Sequence, residues 1–196
     1  MGVVNVTPDS FSDGGRYLDA DAAVAHAVRL VEEGAELLDI GGESTRPGAD
    51  VVSEAEERRR VIPVVTAVAK AVTVPISIDT SKAAVARAAL DAGAVLVNDV
   101  TALRSDPAMV DVVARTGAGI VLMHMQGTPR TMQQAPCYDD VVGEISAFFE
   151  ERIRFAMAHG IVRRQIVLDP GVGFGKLLIH NLTLLAQLCR FEQFEC

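Results

Sequence analysis

Apolar residues gather in six short stretches along the chain, and each stretch ends on a polar residue. The stretches are Val3-Val4-Asn5, Leu37-Leu38-Asp39, Ile76-Ser77-Ile78-Asp79, Val95-Leu96-Val97-Asn98, Val121-Leu122-Met123-His124 and Ile166-Val167-Leu168-Asp169. Runs of this length bounded by turn residues predict buried parallel strands. The segments between them carry helical signals. Val24, Val28 and Val31 share one face of a helix predicted from Asp21, with Gly34 as its stop. Ser53-Glu54-Ala55-Glu56 is a capping box opening a helix toward Lys70, and Pro63 is expected to shorten or kink it. Thr80 or Ser81 caps Lys82 to Asp91, and Asp106-Pro107 reads as an N-cap followed by a first-turn proline. The longest helical pattern runs from Tyr138 to His159, and a last apolar stretch begins at Asn181.

Strand and helix thus alternate six times, the signature of an α/β fold with a parallel sheet and helices outside it. Two closures are open: a doubly wound sheet or a TIM-type (β/α)₈ barrel. A barrel usually takes eight units in roughly 250 residues. This sequence of 196 residues supplies six, and residues 1–196 are read as a single domain, an incomplete barrel. In either closure the ligand lies at the carboxyl ends of the strands. The polar residues that end the six runs would therefore share one mouth.

Composition narrows the classes. Hydrophobic residues make up 49% of the chain, which argues against disorder, yet no apolar run is long enough to span a bilayer. The opening residues lack a basic segment before an apolar one, so no signal peptide is expected and the expected location is cytoplasmic. The net charge of −8 argues against nucleic-acid binding. Arg58-Arg59-Arg60 is a local exception, best read as a solvated helix face. Cys137, Cys189 and Cys196 have no CxxC spacing, so neither a disulfide framework nor a zinc site is expected.

The connections after the strands hold the candidate chemistry. Asn5-Val6-Thr7-Pro8-Asp9-Ser10-Phe11-Ser12-Asp13-Gly14-Gly15 is more polar and glycine-rich than a connector needs, and Asn5 offers an amide oxygen to a Mg²⁺ ion. In Gly41-Gly42-Glu43-Ser44-Thr45-Arg46-Pro47-Gly48, paired glycines allow close approach of backbone, and a hydroxyl with a guanidinium suits a phosphate-bearing group. Asp79, Asn98 and Asp169 could read the amino and ring N–H edge of a flat heterocycle. Each could instead cap a following helix or hold a metal. Asp169-Pro170-Gly171-Val172-Gly173-Phe174-Gly175-Lys176 fails as a P-loop, because Pro170 and Leu177 stand at required positions. It fails as a dinucleotide fingerprint too, because Lys176 replaces the third glycine. What remains is a tight turn presenting Phe174 and Lys176. Met123 can line an apolar pocket, and His124 reads as a hydrogen-bonded structural residue rather than a base.

Together these segments resemble the dihydropteroate synthases of folate biosynthesis. Besides the two loops and the Asp169–Lys176 turn, the resemblance rests on Ile78-Asp79-Thr80-Ser81-Lys82, Asn98-Asp99 and Met123-His124-Met125-Gln126-Gly127. It implies a transferase with a (β/α)₈ barrel that joins p-aminobenzoate to a dihydropterin methyl diphosphate, releasing diphosphate and 7,8-dihydropteroate. It also implies that Asp79, Asn98 and Asp169 hold the pterin edge and that Asn5 binds Mg²⁺. Thr45 and Arg46 would face the diphosphate, while Phe11, Pro47 and Phe174 would shape the p-aminobenzoate pocket. The full-length family is expected to form homodimers and to be a sulfonamide target.

Two features of the family are not found in these residues: a seventh strand with a Ser-Arg-Lys motif and an eighth with an Arg-x-His motif. The chain by itself is therefore expected to be catalytically silent. The rival readings are an inactive fragment or non-catalytic pterin-binding module, and a methyltetrahydrofolate–corrinoid methyltransferase relative. The Gly42–Gly48 loop favours the synthase over the methyltransferase.

Overall fold

The computed structural model describes residues 1–7, 16–44 and 51–196, with side chains in the first helix described from residue 20 onward. Among these residues six parallel strands alternate with six helices: β1 (Gly2–Asn5), α1 (Arg16–Glu32), β2 (Leu38–Gly41), α2 (Glu54–Ala71), β3 (Ile76–Asp79), α3 (Ala83–Asp91), β4 (Leu96–Asp99), α4 (Met109–Thr116), β5 (Gly119–Met123), α5 (Val141–Ala158), β6 (Ile166–Asp169) and α6 (Leu178–Ala186). The described residues fall into two compact units, one of 1–44 with 51–98, the other of 99–196.

In the first unit β1 pairs with β2, β2 with β3, and β3 with β4, all parallel. β2 is buried at all four positions, as expected of a parallel strand covered on both faces. Its Leu38 and Ile40 pack in a core with Val61, Val65 and Val68 of α2 and Ile78 of β3, all with no solvent exposure. Each such side chain contributes about 1.5–3 kcal/mol on burial. The register is the functional consequence: Gly41 stands beside Asp79, and Asp79 beside Asn98.

α2 corrects one expectation. It runs unbroken through Pro63 to Ala71. Pro63 is exposed, opposite the buried stripe of Glu57, Val61, Val64, Val65 and Val68, so its ring meets solvent and not the core. Ser53 caps the helix as predicted, its Oγ accepting from the Glu56 N–H. The arginine run is partly as expected. Arg58 and Arg59 pair with Glu54 and Glu56 at the surface, but Arg60 is mostly covered and also donates to the Gly42 carbonyl at 3.0 Å.

In the second unit β5 pairs with β6, setting Met123 beside Asp169. Phe149 of α5 lies with no exposure, edge-on to Phe191 and Phe194 of a closing 3₁₀ segment, Leu188–Phe194. Several helix starts differ from the sequence reading: α5 begins at Val141 and not Tyr138, and α3 at Ala83 without a side-chain cap. α1 begins at Arg16, which leaves Asp21 inside it and exposed. Asp106 accepts from the Ala108 N–H in a turn that precedes α4. α6 begins at Leu178, so Asn181 lies inside the helix, and its Oδ1 instead receives the Gly173 N–H at 2.9 Å.

Candidate functional site

In the first unit the carboxyl ends of β2, β3 and β4 carry the chemistry. Asp39, Ser77, Asp79 and Asn98 point to one face, because side chains alternate along a strand and these positions are in register. Asp79 and Asn98 lie at the outer level and are half-buried. Asp39 lies one level deeper and is only 4% exposed. The Asn98 Nδ2 reaches across β3 and donates to Asp39 Oδ2 at 2.9 Å. The other Asp39 oxygen, Oδ1, is buried with no hydrogen-bond partner. Burial raises the Asp39 carboxyl above its ordinary range, against the opposing effect of Ser77 and Asn98. From the sequence, Asp39 reads only as the end of a strand. The structure makes it the inner partner of Asn98.

Gly41 leaves room here for its neighbour. A Cβ at this position would stand 3.3 Å from the Asp79 Cβ and 3.4 Å from its Oδ2. The missing side chain leaves Asp79 its place at the strand end.

The second unit holds Met123 and Asp169 side by side. Asp169 Oδ1 accepts from the Gly171 N–H at 2.7 Å, which fixes the carboxylate's orientation, and its carbonyl accepts from His124 N–H. Gly171 has φ +67°, and a Cβ there would fall 2.1 Å from the His124 carbonyl oxygen, so only glycine fits the turn. Phe174 packs on a small apolar cluster of Val100, Met123, Met125 and Met132. Phe174 thus lies beside Met123. Lys176 is a correction. It is not presented outward but is 3% exposed, folded under the turn, donating to the Phe174 and His124 carbonyls and facing His124 Nδ1 at 3.2 Å.

An ammonium has only donors, so His124 Nδ1 accepts and its proton sits on Nε2. Burial, then Lys176 and Arg104 nearby, push His124 down to about 3. Burial pushes Lys176 down to about 8. A histidine this hard to protonate is no general base near neutral pH, and the structural reading holds.

The turn after β4 is built around Asp99. Its carboxylate accepts from Thr101 N–H and Oγ1 and from Leu103 N–H, and burial raises it above its ordinary range. Ala102 and Leu103 adopt positive φ of 53° and 63°, a costly conformation for residues with side chains. Buried Arg152 donates to the Ala102 carbonyl, and Arg104 donates toward the Met125 carbonyl while lying over the Phe148 ring. The sequence reading missed this assembly. The available signal was the paired Asn98-Asp99, of which only the first was weighed.

Asn5 is exposed at the end of β1 beside Gly41. Thr45, Arg46, Pro47 and Phe11 lie outside the described residues. The three cysteines are exposed and free. Among the described residues no group of three or more His, Cys, Asp and Glu is placed to hold a metal, and no helix is long and apolar enough to cross a membrane.

The sequence profile of the pterin binding enzymes matches residues 1–196. The dihydropteroate synthase of Escherichia coli K12 is 51% identical over 195 residues, which cover all of this chain and 69% of that enzyme. The solved Yersinia pestis dihydropteroate synthase, a sulfonamide drug complex, superposes with a TM-score of 0.92 at 51% identity over 99% of this chain and 70% of that one. The Xanthomonas albilineans dihydropteroate synthase in complex with 7,8-dihydropteroate gives 0.87 at 49% identity over 99% and 68%. The expected TIM-type α/β fold is therefore the right one, represented here by six βα units. Matched along its whole length and half identical to enzymes of one activity, this chain belongs to the pterin binding enzyme family, among the dihydropteroate synthases.

Proposed function

We propose that this chain serves a transferase of folate biosynthesis that condenses p-aminobenzoate with (7,8-dihydropterin-6-yl)methyl diphosphate, and that Asp79, Asn98 and Asp169 read the pterin. The observation that carries the residue assignment is the register: Asp79 and Asn98 stand side by side at the ends of β3 and β4, with Asn98 oriented from below by Asp39. A carboxylate and an amide together match an amino group beside a ring N–H, and charged hydrogen bonds contribute about 1.5–3 kcal/mol each. In the second unit, Asp169 is held in one orientation by Gly171. Met123 and Phe174 give an apolar surface for a flat ring.

In this reading the methylene–oxygen bond of the diphosphate ester breaks, and the aryl amine of p-aminobenzoate bonds to the methylene carbon and loses a proton. Carboxylates around the pterin favour the positive charge that builds on the ring as the bond breaks. Thr45 and Arg46 are assigned to the diphosphate side, and Phe11 and Pro47 to the p-aminobenzoate side, from the family resemblance alone. Asn5 fits Mg²⁺ as a single hard oxygen donor at a strand end, the pattern of an ion that takes its other ligands from substrate phosphates and water. When bound, the ion would neutralise charge on the diphosphate. The reading treats 1–196 as one cytoplasmic pterin-binding domain, an incomplete barrel, and expects homodimers of the full-length family. Light scattering tests the last point.

The test is calorimetry with the pterin diphosphate, followed by p-aminobenzoate, beside chromatographic detection of 7,8-dihydropteroate. Pterin binding without product would favour a binding module. Methyl transfer to a corrinoid would favour the methyltransferase reading.

A further inference from the structure

Outside the pterin-reading residues, the first unit contains a partly buried ionic cluster that the sequence did not announce. Lys82, the residue before α3, places its Nζ between the carboxylates of Glu43 and Glu57. Glu57 lies in α2 with no solvent exposure, 2.5 Å from the ammonium through Oε2, while its Oε1 has no partner. Glu43 follows β2, and its other oxygen accepts from the Val52 N–H at 3.0 Å. One carboxylate therefore ties residue 43 to residue 52, the two sides of the connection between β2 and α2. The same ammonium belongs to the turn that begins at Asp79. Lys82 N–H donates to Thr80 Oγ1, and Thr80 N–H donates to the Asn98 carbonyl.

Burial alone would lower the lysine. The hydrogen bonds to Glu43 and Glu57 outweigh it and hold the ammonium above its ordinary range, so Lys82 stays charged. Taking these charges out of water is costly, and apolar or neutral replacements of buried ion pairs are often tolerated for stability. Stability is thus a weak reason for this arrangement. The placement offers a better one.

We infer that Glu43, Lys82 and Glu57 are positioning residues for substrate binding, holding Glu43 and Val52 against the turn that carries Asp79. This rests on the reading of Asp79 as a pterin ligand. Lys82 acts by fixing where Asp79 stands relative to Glu43 and Val52.

Two variants test it. In Lys82→Met the two carboxylates lose their shared cation. In the triple variant Glu43→Gln, Glu57→Gln, Lys82→Met every member is neutral, and the amide introduced at position 43 retains an acceptor for the Val52 N–H. Hydrogen exchange of the Val52 amide, thermal melting and calorimetry with the pterin diphosphate are measured on each. Lys82→Met is expected to speed Val52 exchange at least tenfold and weaken ligand affinity about tenfold. The triple variant is expected to melt close to the parent yet keep the weakened affinity. A triple variant that binds as tightly as the parent overturns the positioning role and leaves the cluster structural. So does a Lys82→Met chain with unchanged Val52 exchange and affinity. A parent chain that binds no pterin overturns the functional reading instead. The Val52 exchange of Lys82→Met then still decides whether the Glu43–Val52 hydrogen bond depends on the cation.

Discussion

Asn98 on β4 donates its side-chain amide across β3 to Asp39 on β2, at 2.9 Å. A residue at the rim is thereby oriented by a carboxyl group buried one level deeper. Replacing Asp39 by Ala leaves the Asn98 amide without its acceptor and should weaken pterin affinity about tenfold, the equivalent of one net hydrogen bond of about 1 kcal/mol or somewhat more. Asp39→Asn should bind nearly as the parent, since Asn still accepts through Oδ1 and burial already favours a neutral group there. Calorimetry on both variants checks the contrast. Equal losses would show that the charge of Asp39, and not its hold on Asn98, is what matters.

Asp79→Ala and Asp169→Ala should each reduce pterin affinity by about 1.5–3 kcal/mol, the value of a charged hydrogen bond. Asp169→Ala also releases the Gly171 N–H and should lower the melting temperature. Lower melting temperatures with pterin affinity intact would reduce both residues to caps.

Gly41→Ala tests the space around Asp79. The new methyl group would press on the Asp79 side chain at 3.3–3.4 Å, closer than ordinary contact. Pterin affinity should drop several-fold while melting changes little, since the strand backbone can accept alanine. An affinity equal to the parent's would mean that Asp79 can shift without consequence.

His124 gives a pH signature. Its folded value, about 3, lies below the unfolded value near 6.5. The stability it contributes is therefore complete above pH 6.5 and is lost as pH falls from 6.5 toward 3, by up to about 1.4 kcal/mol per pH unit. Asp39 and Asp99, both raised, act in the opposite sense over the acid range. Urea unfolding of the parent and of His124→Gln between pH 7 and pH 4 isolates the histidine. The difference in stability between them should shrink as pH falls. A constant difference would show that His124 is protonated more easily than its burial implies.

Mg²⁺ should strengthen binding of the pterin diphosphate and leave a pterin without phosphate unaffected, and Asn5→Ala should remove the difference. Titrations with metal and with chelator decide it. Equal diphosphate affinity in both conditions would remove the ion from the reading.

Much of this was legible in the sequence because burial and position coincide in a parallel strand. The run Ile76-Ser77-Ile78-Asp79 states both the strand and the end where chemistry stands. What stayed hidden depends on partners distant in the chain. Glu57 looks like one of several surface glutamates in α2, and nothing local says that Lys82 will cover it. Asp39 looks like a strand terminus because Gly41 and Gly42 resemble a turn, whereas β2 continues to Gly41. Asn181 looks like the start of the last apolar stretch. Its amide is recruited by Gly173, and the helix starts three residues earlier. Pro63 misleads for a different reason: its effect depends on which side of α2 it faces, which the ring alone does not tell.

The strands are four or five residues long, and Asn5, Asp79, Asn98, Met123 and Asp169 each occupy the last or the last-but-one position. Inserting a single residue inside β3 would exchange the facing of Asp79 with that of Ile78, putting a branched hydrocarbon where a carboxylate belongs. Inserting the same residue in the connection that precedes it, between α2 and β3, would leave the facing of Asp79 as it is. An engineer can therefore lengthen this protein at the amino ends of its strands with little risk to ligand reading. Within them, even the smallest change of length rewrites the alphabet in which the ligand is read.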